Sequence, residues 1–334
     1  MTQQLFNRNP KNPILSAKDW PYAVHTVFNP GVARVEDDVV LLARCENHIG
    51  VSHLCVARSK NGVDGWRIDK SPTLVPEPDA FQEELWGIED PRITYLAEEK
   101  KWIIAYTSFS KNGPLVSLVE TEDFRKFEKC GAILLPENKD AALLPERING
   151  QWLIIHRPVC GSLAAANMWI SSSPDLIHWG QHQLLAETRP GSYWDSVRIG
   201  LSAQPLKTEQ GWLLLYHGVK MTGSGSLYRQ GLLLLDLENP HKVLRRSNSW
   251  LFGPQTQDEI QGDVGNVTFS CGWLLDEKAQ QLHMYYGAAD TVICLASAPF
   301  DEVMDYVSRM PHVQQDSAGN AKWSKPPGPD RFRE

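Results

Sequence analysis

A hairpin repeated five times is the feature that most limits what this chain can fold into. Each copy is an apolar strand, a short polar turn and a second apolar strand. The second strands read VVLLARCE (39–46), KWIIAYTSF (101–109), QWLIIHRP (151–158), GWLLLYHGV (211–219) and QLHMYYGAAD (281–290). The first strands read NPGVARV, DPRITYL, AALLPERI, GLSAQPLKT and NVTFSCGWLL, and Gly, Asn or acidic residues fill the turns between. Successive second strands begin roughly 50 to 70 residues apart, the spacing of a four-stranded propeller blade with loop insertions.

Three segments, ARSKNGVDGWRI (57–68), VETEDFRKFEK (119–129) and ISSSPDLIHWG (170–180), share a strand, a Ser/Thr/Asp turn and an aromatic soon after. They predict the outer hairpins of the blades. The expected fold is all-β, a five-bladed β-propeller forming a single domain over residues 1–310. DEVMDYVSRM (301–310) has helical spacing and predicts a short C-terminal helix packed on the propeller. Residues 311–334, with SAGN and KPPGPDRFRE, predict an extended or disordered tail.

Composition excludes several classes. The 334 residues carry a net charge of -7, with no Lys/Arg run to drive counterion release from nucleic acid or attraction to an anionic membrane. Neither a signal segment nor 18 consecutive apolar residues occurs, so a soluble cytoplasmic protein is expected. Six scattered cysteines without a CxxC and ten dispersed histidines offer no metal-ligand spacing and no disulfide framework. No metal or organic cofactor is expected; a homo-oligomer is compatible with these patterns.

In a propeller the first strands line a central channel, so residues at equivalent repeat positions converge. Asn29, Asp90, Lys139 with Asp140, Arg198 and Asp263 stand at or just before the first strands. Arg44 with Glu46, Thr107, Arg157, His217 and Asp290 stand towards the ends of the second strands. In GIEDPRITYL, Pro91 fixes the start of the strand, and Arg92 lies on the same face as Asp90, within reach of a carboxylate. Lys139, Arg157, Arg198 and His217 gather positive charge on blades three and four, which calls for an anion. Arginine forks suit phosphate oxygens. Asp90, Asp263, Asp290 and Glu46 lie opposite, placed to hold sugar hydroxyls and supply a proton. Inverting cleavage of a glycosidic bond needs an acid on one face and a nucleophile on the other. One acid facing a cationic cluster points to phosphorolysis.

GIEDPRITYL, ALLPERINGQWLIIHRP, GWLLLYHGV, YRQGLLLLDLENP, GDVGNVTF and YYGAADT, in this order and spacing, resemble glycoside hydrolase family 130, the β-mannoside phosphorylases and related mannosidases. The resemblance runs from about residue 10 to about residue 306. It implies a five-bladed propeller on which inorganic phosphate attacks a non-reducing β-mannosyl unit with inversion, releasing α-mannose 1-phosphate. It implies that Asp90 is the general acid, its proton passing through the mannosyl 3-hydroxyl. Phosphate-binding roles carry over to Lys139, Arg157, Arg198, His217 and Tyr228, and mannosyl-binding roles to Asn29, Arg44 and Asp290. Many members are expected to carry Arg where Lys139 stands and Lys where Arg198 stands, which keeps the charge but not the fork.

Among single residues, Trp194 in GSYWDS is expected at the acceptor end of the pocket, with Tyr193 beside it, because loops at a propeller mouth carry specificity. Trp86 has either a sugar face or the core as its partner. Asp263 has either a mannosyl hydroxyl or its own turn. The stretch GSGSL (223–227) lacks GK[ST] and is expected to be a mobile loop and no phosphate cradle. Three functional readings stand: an inverting phosphorylase, an inverting β-mannosidase using Asp140 or Asp195 as base, and a non-catalytic sugar-binding propeller.

Overall fold

A computed structural model describes residues 4–159, 165–223, 225–315 and 321–322. Cys160, Ser224 and most of the predicted tail lie outside the described residues. Five antiparallel sheets follow one another around a common axis, one for each repeat.

Blade 1 is β2 (Thr26–Val35), β3 (Asp38–Glu46), β4 (Ser52–Ser59) and β5 (Arg67–Ile68), preceded by the two-residue strand β1 (Asn7–Arg8). Blade 2 is β6 (Ile88–Leu96), β7 (Lys101–Ser110), β8 (Gly113–Thr121) and β9 (Glu128–Leu134). Blade 3 is β10 (Asn138–Leu143), β11 (Trp152–Pro158), β12 (Met168–Ser173) and β13 (Gly180–Ala186). Blade 4 is β14 (Arg198–Leu201), β15 (Leu206–Thr208), β16 (Gly211–Thr222), β17 (Gly225–Leu235) and β18 (Val243–Arg246). Blade 5 begins after the one-turn helix α1 (Gln257–Ile260) and comprises β19 (Thr268–Asp276), β20 (Gln281–Ala288) and β21 (Val292–Pro299). The helix α2 (Phe300–Arg309) then buries Val303 and Val307 against the core shared by blades 4 and 5.

Second-strand boundaries follow the repeats closely, whereas AALLPERI enters β10 only with residues 141–143 and GLSAQPLKT is split between β14 and β15. GSGSL is also an exception: β16 and β17 stay paired to Thr222 and Gly225, so most of this stretch belongs to a long hairpin. A continuous strand satisfies the backbone groups that a loop would leave to water.

Apolar side chains of adjacent blades form the core. Each second strand is buried on both faces, which is why VVLLA, WLII and WLLLY read as unbroken apolar runs without the alternation of a strand that has one face in water. Trp152, Trp212 and Trp273 are fully buried between blades.

The ring closes through the N-terminal segment, a function no repeat pattern signals. Strand β1 pairs with β21, Asn7 opposite Ser297 and Arg8 opposite Ala296, and so completes blade 5 with residues from the other end of the chain. Phe6 is fully buried beside it. Arg8 donates to both oxygens of Glu259 at 2.6 and 2.8 Å, and Tyr286 donates to the same carboxylate at 2.8 Å. The Glu259 side chain is wholly enclosed. Replacing Arg8 by Ala leaves that buried carboxylate with its neutral donors, Tyr286 and the Gln255 and Thr256 N–H groups, and without its cation, and the expected cost is about 3 kcal/mol. Thermal or denaturant unfolding of the variant against the parent measures it; an unchanged midpoint contradicts the closure described.

Candidate active site

The inner strands of blades 1, 2 and 3 share a device that aims a polar side chain at the axis. Asn29, Asp90 and Asp140 adopt left-handed backbone, with φ of 44°, 51° and 57°. Each sits at a register shift in its pairing with the second strand. Such bulges re-aim a side chain, and Asn and Asp tolerate the left-handed region better than other non-glycine residues. The three motifs NPG, DPR and DAA are thus one structural position. The conformation costs roughly 1–3 kcal/mol per residue, a form of strain that functional sites often hold.

These side chains open on a cavity of about 160 Å3 at the start of the inner strands. Asn29, Arg44, Asp90 and Asp290 line it from blades 1, 2 and 5, and Lys139, Asp140, Arg157, Arg198, His217 and Tyr228 from blades 3 and 4. Val264, Val267 and Phe269 complete the wall. Nine of the twelve expected site residues therefore meet in one place.

On the first side, Asn29 Nδ2 donates to Asp90 Oδ1 at 3.0 Å and Arg44 Nη1 to the same oxygen at 3.2 Å. Burial pushes the Asp90 carboxyl up, but the Arg44, Lys139 and Arg92 charges and the Asn29 hydrogen bond outweigh it and hold it below the usual range. In the free site Asp90 is ionised at neutral pH. Asp290 behaves oppositely: burial, reinforced by the Asp90 and Glu89 charges and only partly offset by Arg44 and Lys139, pushes its carboxyl up to about 7.

Glu46 stands behind this side. It accepts from Arg44 Nη2 at 3.3 Å and from Ser52 Oγ at 3.2 Å, so it orients Arg44 from outside the cavity wall. Glu89, which sequence reasoning passed over, accepts from Arg44 Nη2 at 3.2 Å and lies 3.9 Å from Lys139 Nζ. The preceding residue of the same bulge is the signal that could have found it.

The second side is organised by Asp140. Its carboxylate is 2% exposed and accepts from Arg92 Nη2 at 3.2 Å and Arg157 Nε at 2.7 Å, with His217 Nε2 3.4 Å away. Burial opposes ionisation there, yet Arg157, His217 and Arg92 hold the group well below the usual carboxylate range. Gly200 makes room for this contact: a Cβ on it would lie 2.3 Å from Asp140 Oδ2 and 2.6 Å from His217 Cε1.

Two expectations about this side are corrected. His217 adds no positive charge at neutral pH, because burial lowers its pKa despite the Asp140 carboxylate. The cations are also not segregated from carboxylates, since Asp140 lies among them. What remains underneutralised is specific. Among the described residues the Arg198 side chain has no ion-pair or hydrogen-bond partner, and the Lys139 side chain has only the loose contact with Glu89. Arg157 uses only Nε on Asp140.

Arg92 lies behind the cavity wall and is not among the residues that line it. It is 1% exposed and reaches from blade 2 to blade 4, donating to the carbonyls of Ser202 at 2.6 Å and Leu201 at 2.9 Å. The pairing expected of it is made with Asp140.

Trp194 and Asp263 are not where the sequence suggested. Trp194 is 6% exposed and stacks at 5.3 Å on Tyr216 in the core of blade 4, with Nε1 donating to the Asn248 carbonyl. It lies over Gly218 and Gly231, where any Cβ would come within 2.6 Å of its ring. The Gly of YHGV and the Gly of YRQG are the sequence sign of a flat ring packed on the sheet. Asp263 sits on the loop before β19, outside the cavity wall, and pairs with His25 at 2.8 Å on the rim. Its position is before the inner strand, which starts only at Thr268. Trp86 is 46% exposed and meets Phe109 edge-on, so it belongs to the surface beside β6. Tyr193 stacks under the Arg189 guanidinium at 4.5 Å.

Asp195 is fully enclosed, held by Arg189 at 2.8 Å, Arg246 at 2.6 Å and Tyr216 Oη at 3.0 Å. It is a structural anion outside the cavity wall. Among the described residues no cluster of three His, Cys, Asp or Glu is placed to hold a metal ion, and no helix is long and apolar enough to cross a membrane.

Comparison with known proteins decides the family. The model of glycoside hydrolase family 130, described as β-1,4-mannooligosaccharide phosphorylase, matches residues 5–309. The chain belongs to glycoside hydrolase family 130. It is 33% identical to a β-1,4-mannooligosaccharide phosphorylase of Ruminococcus albus over 89% of each chain. It is 39% identical to a β-1,2-mannobiose phosphorylase of Listeria innocua over 76% of this chain and 68% of that one. A solved structure of β-1,2-mannobiose phosphorylase from Listeria innocua, in complex with β-1,2-mannobiose, superposes with a TM-score of 0.82, covering 91% of this chain and 99% of that one at 31% identity.

The corrected place of Trp194 has a direct consequence. Trp194→Ala empties a core site and is expected to lower stability by about 3–5 kcal/mol. Denaturant unfolding checks the loss, and the KM for acceptor sugars in the folded fraction should stay unchanged. A selective rise in acceptor KM at parental stability would return Trp194 to the pocket.

Proposed function

We propose that the protein is an inverting β-mannoside phosphorylase that uses inorganic phosphate, without metal or organic cofactor, to release α-mannose 1-phosphate from the non-reducing end. The observation that carries this reading is the Arg198 side chain without a partner among the described residues, with Lys139 loosely held and Arg157 bonded through Nε alone, in the same cavity as Asp90. Cations left underneutralised in a half-buried site favour an oxyanion. Asn29, Arg44 and Asp290 surround the place of the mannosyl unit, and the phosphate faces it from blades 3 and 4.

The hydrolase alternative needs a carboxylate base on that opposite side to activate water. Asp140 is the carboxylate lining the cavity from blades 3 and 4, and its three partners hold it too acidic to take a proton. Asp195 is sealed by Arg189, Arg246 and Tyr216. Neither supplies the base.

Asp90 delivers the proton to the leaving group. Phosphate entering beside Lys139 offsets part of the field that keeps Asp90 ionised, so the nucleophile's arrival raises the proton affinity of the acid.

Incubation of the purified protein with a β-linked manno-oligosaccharide, with and without inorganic phosphate, tests the reading. Sugar phosphate should form only with phosphate, and proton NMR should find it as the α-anomer. Equal release of free mannose without phosphate contradicts it. Arg198→Ala should raise the KM for phosphate about tenfold to a hundredfold, the loss of a charged hydrogen bond. Asp90→Asn should lower kcat by about 10²–10⁴-fold.

A further inference from the structure

The carboxylates around the cavity are unequally provided for. Asp90 is held by Asn29 and Arg44, and Asp140 by Arg92, Arg157 and His217. Asp290, on the turn after β20, lines the same cavity, half-buried, with no hydrogen bond or ion pair among the described residues. A carboxyl without a partner that shares a cavity with two other carboxylates keeps its proton, while its doubly held neighbour loses one. Two carboxyls in one site whose surroundings drive them apart divide the labour of proton transfer.

We propose that Asp290 is the proton store of the reaction, holding in the free enzyme the proton that Asp90 lacks and releasing it when the substrates bind. The inference rests on the phosphorylase reading and adds the source of the proton to it. The proton leaves the Asp290 carboxyl and reaches the glycosidic oxygen through Asp90 and the hydroxyls of the bound sugar. The C1–O bond breaks with its electron pair on that oxygen, and a phosphate oxygen of HPO4²⁻ forms the new bond to C1. The product leaves this step as the sugar phosphate monoanion, and its remaining proton returns to Asp290. The net reaction is mannoside plus HPO4²⁻ giving free acceptor and the sugar phosphate dianion.

The groups facing Asp290 are Arg44 on β3, Glu89 and Asp90 on β6 and Lys139 on β10. At the rim, the Asp263 backbone N–H donates to Thr291 Oγ1 at 3.0 Å, and the Asp263 carboxylate pairs with His25. Burial and the two acidic neighbours outweigh the two cations and place the Asp290 carboxyl near 7. Its proton is therefore present below neutrality and lost as pH rises through that value. For the free enzyme, kcat/KM should fall along an alkaline limb starting there.

Asp290→Asn tests this, since Asn keeps the shape and can still bond a sugar hydroxyl. The variant is expected to lose about 10²-fold in kcat with little change in the KM for mannoside. The Asp290 contribution to the alkaline limb should vanish, whereas a limb from phosphate's own ionisation is common to both proteins. Asp290→Glu should restore a limb. Infrared difference spectra of the free proteins at pH 6 should show a protonated carboxyl that Asp290→Asn lacks. A raised mannoside KM with kcat and pH profile intact would overturn the proposal, leaving Asp290 as a hydroxyl holder only. Identical infrared spectra of parent and variant would overturn it too. The infrared readout needs no turnover, so it judges the proton on Asp290 even where phosphate-independent release of mannose has removed the phosphorylase reading.

Discussion

The buried carboxylate of Asp140 is the interaction on which the rest of the site depends. Lys139 and Arg157 are directly paired residues on neighbouring strands, and like charges opposed across a ladder repel. With Arg92 and Arg198 nearby, an inner wall of this kind would not hold without an anion built into it. Asp140 supplies that anion, joins blade 3 to Arg92 of blade 2, and leaves Arg198 unspent. Breaking such a buried pair from one side typically costs about 3–5 kcal/mol, so Asp140 fixes the cations around it in place.

Much of this was legible in the sequence because propeller geometry turns repetition into proximity. The five second strands were visible as apolar runs, and the inner strands as their partners. Eight of the nine site residues that converge stand near the starts of first strands or the ends of second strands in different repeats; the ninth, Tyr228, lies on a third strand and came from the family resemblance. Asn29, Asp90 and Asp140 even share one bulge conformation. What the repeats did not carry lay outside them: strand β1 closes the ring with residues that precede the first copy, and Glu259 answers Arg8 from a helix of four residues.

Errors at single residues have equally physical causes. Trp194 was placed at the pocket because its loop was expected at the propeller mouth, but Gly218 and Gly231 offer it a flat bed on blade 4. His217 was counted as a cation from its type, whereas burial neutralises it. The partition of charge by blade was too simple, because a cluster of cations needs its own internal anion before it can serve an external one. Glu89 shows the converse: it was quoted within the motif, yet its reach to Arg44 and towards Lys139 follows from a bulge that sequence alone does not display.

In the proposed reaction the anion side and the acid side are two halves of one cavity, and the position of bound phosphate tests this most directly. A crystal structure of the protein soaked in inorganic phosphate should show a tetrahedral ion within hydrogen-bond distance of Arg198, Arg157 and Lys139, across the cavity from Asp90. Phosphate seated against Asp90 and Asn29, or absent from the cavity while these cations fold back onto protein carboxylates, would contradict it.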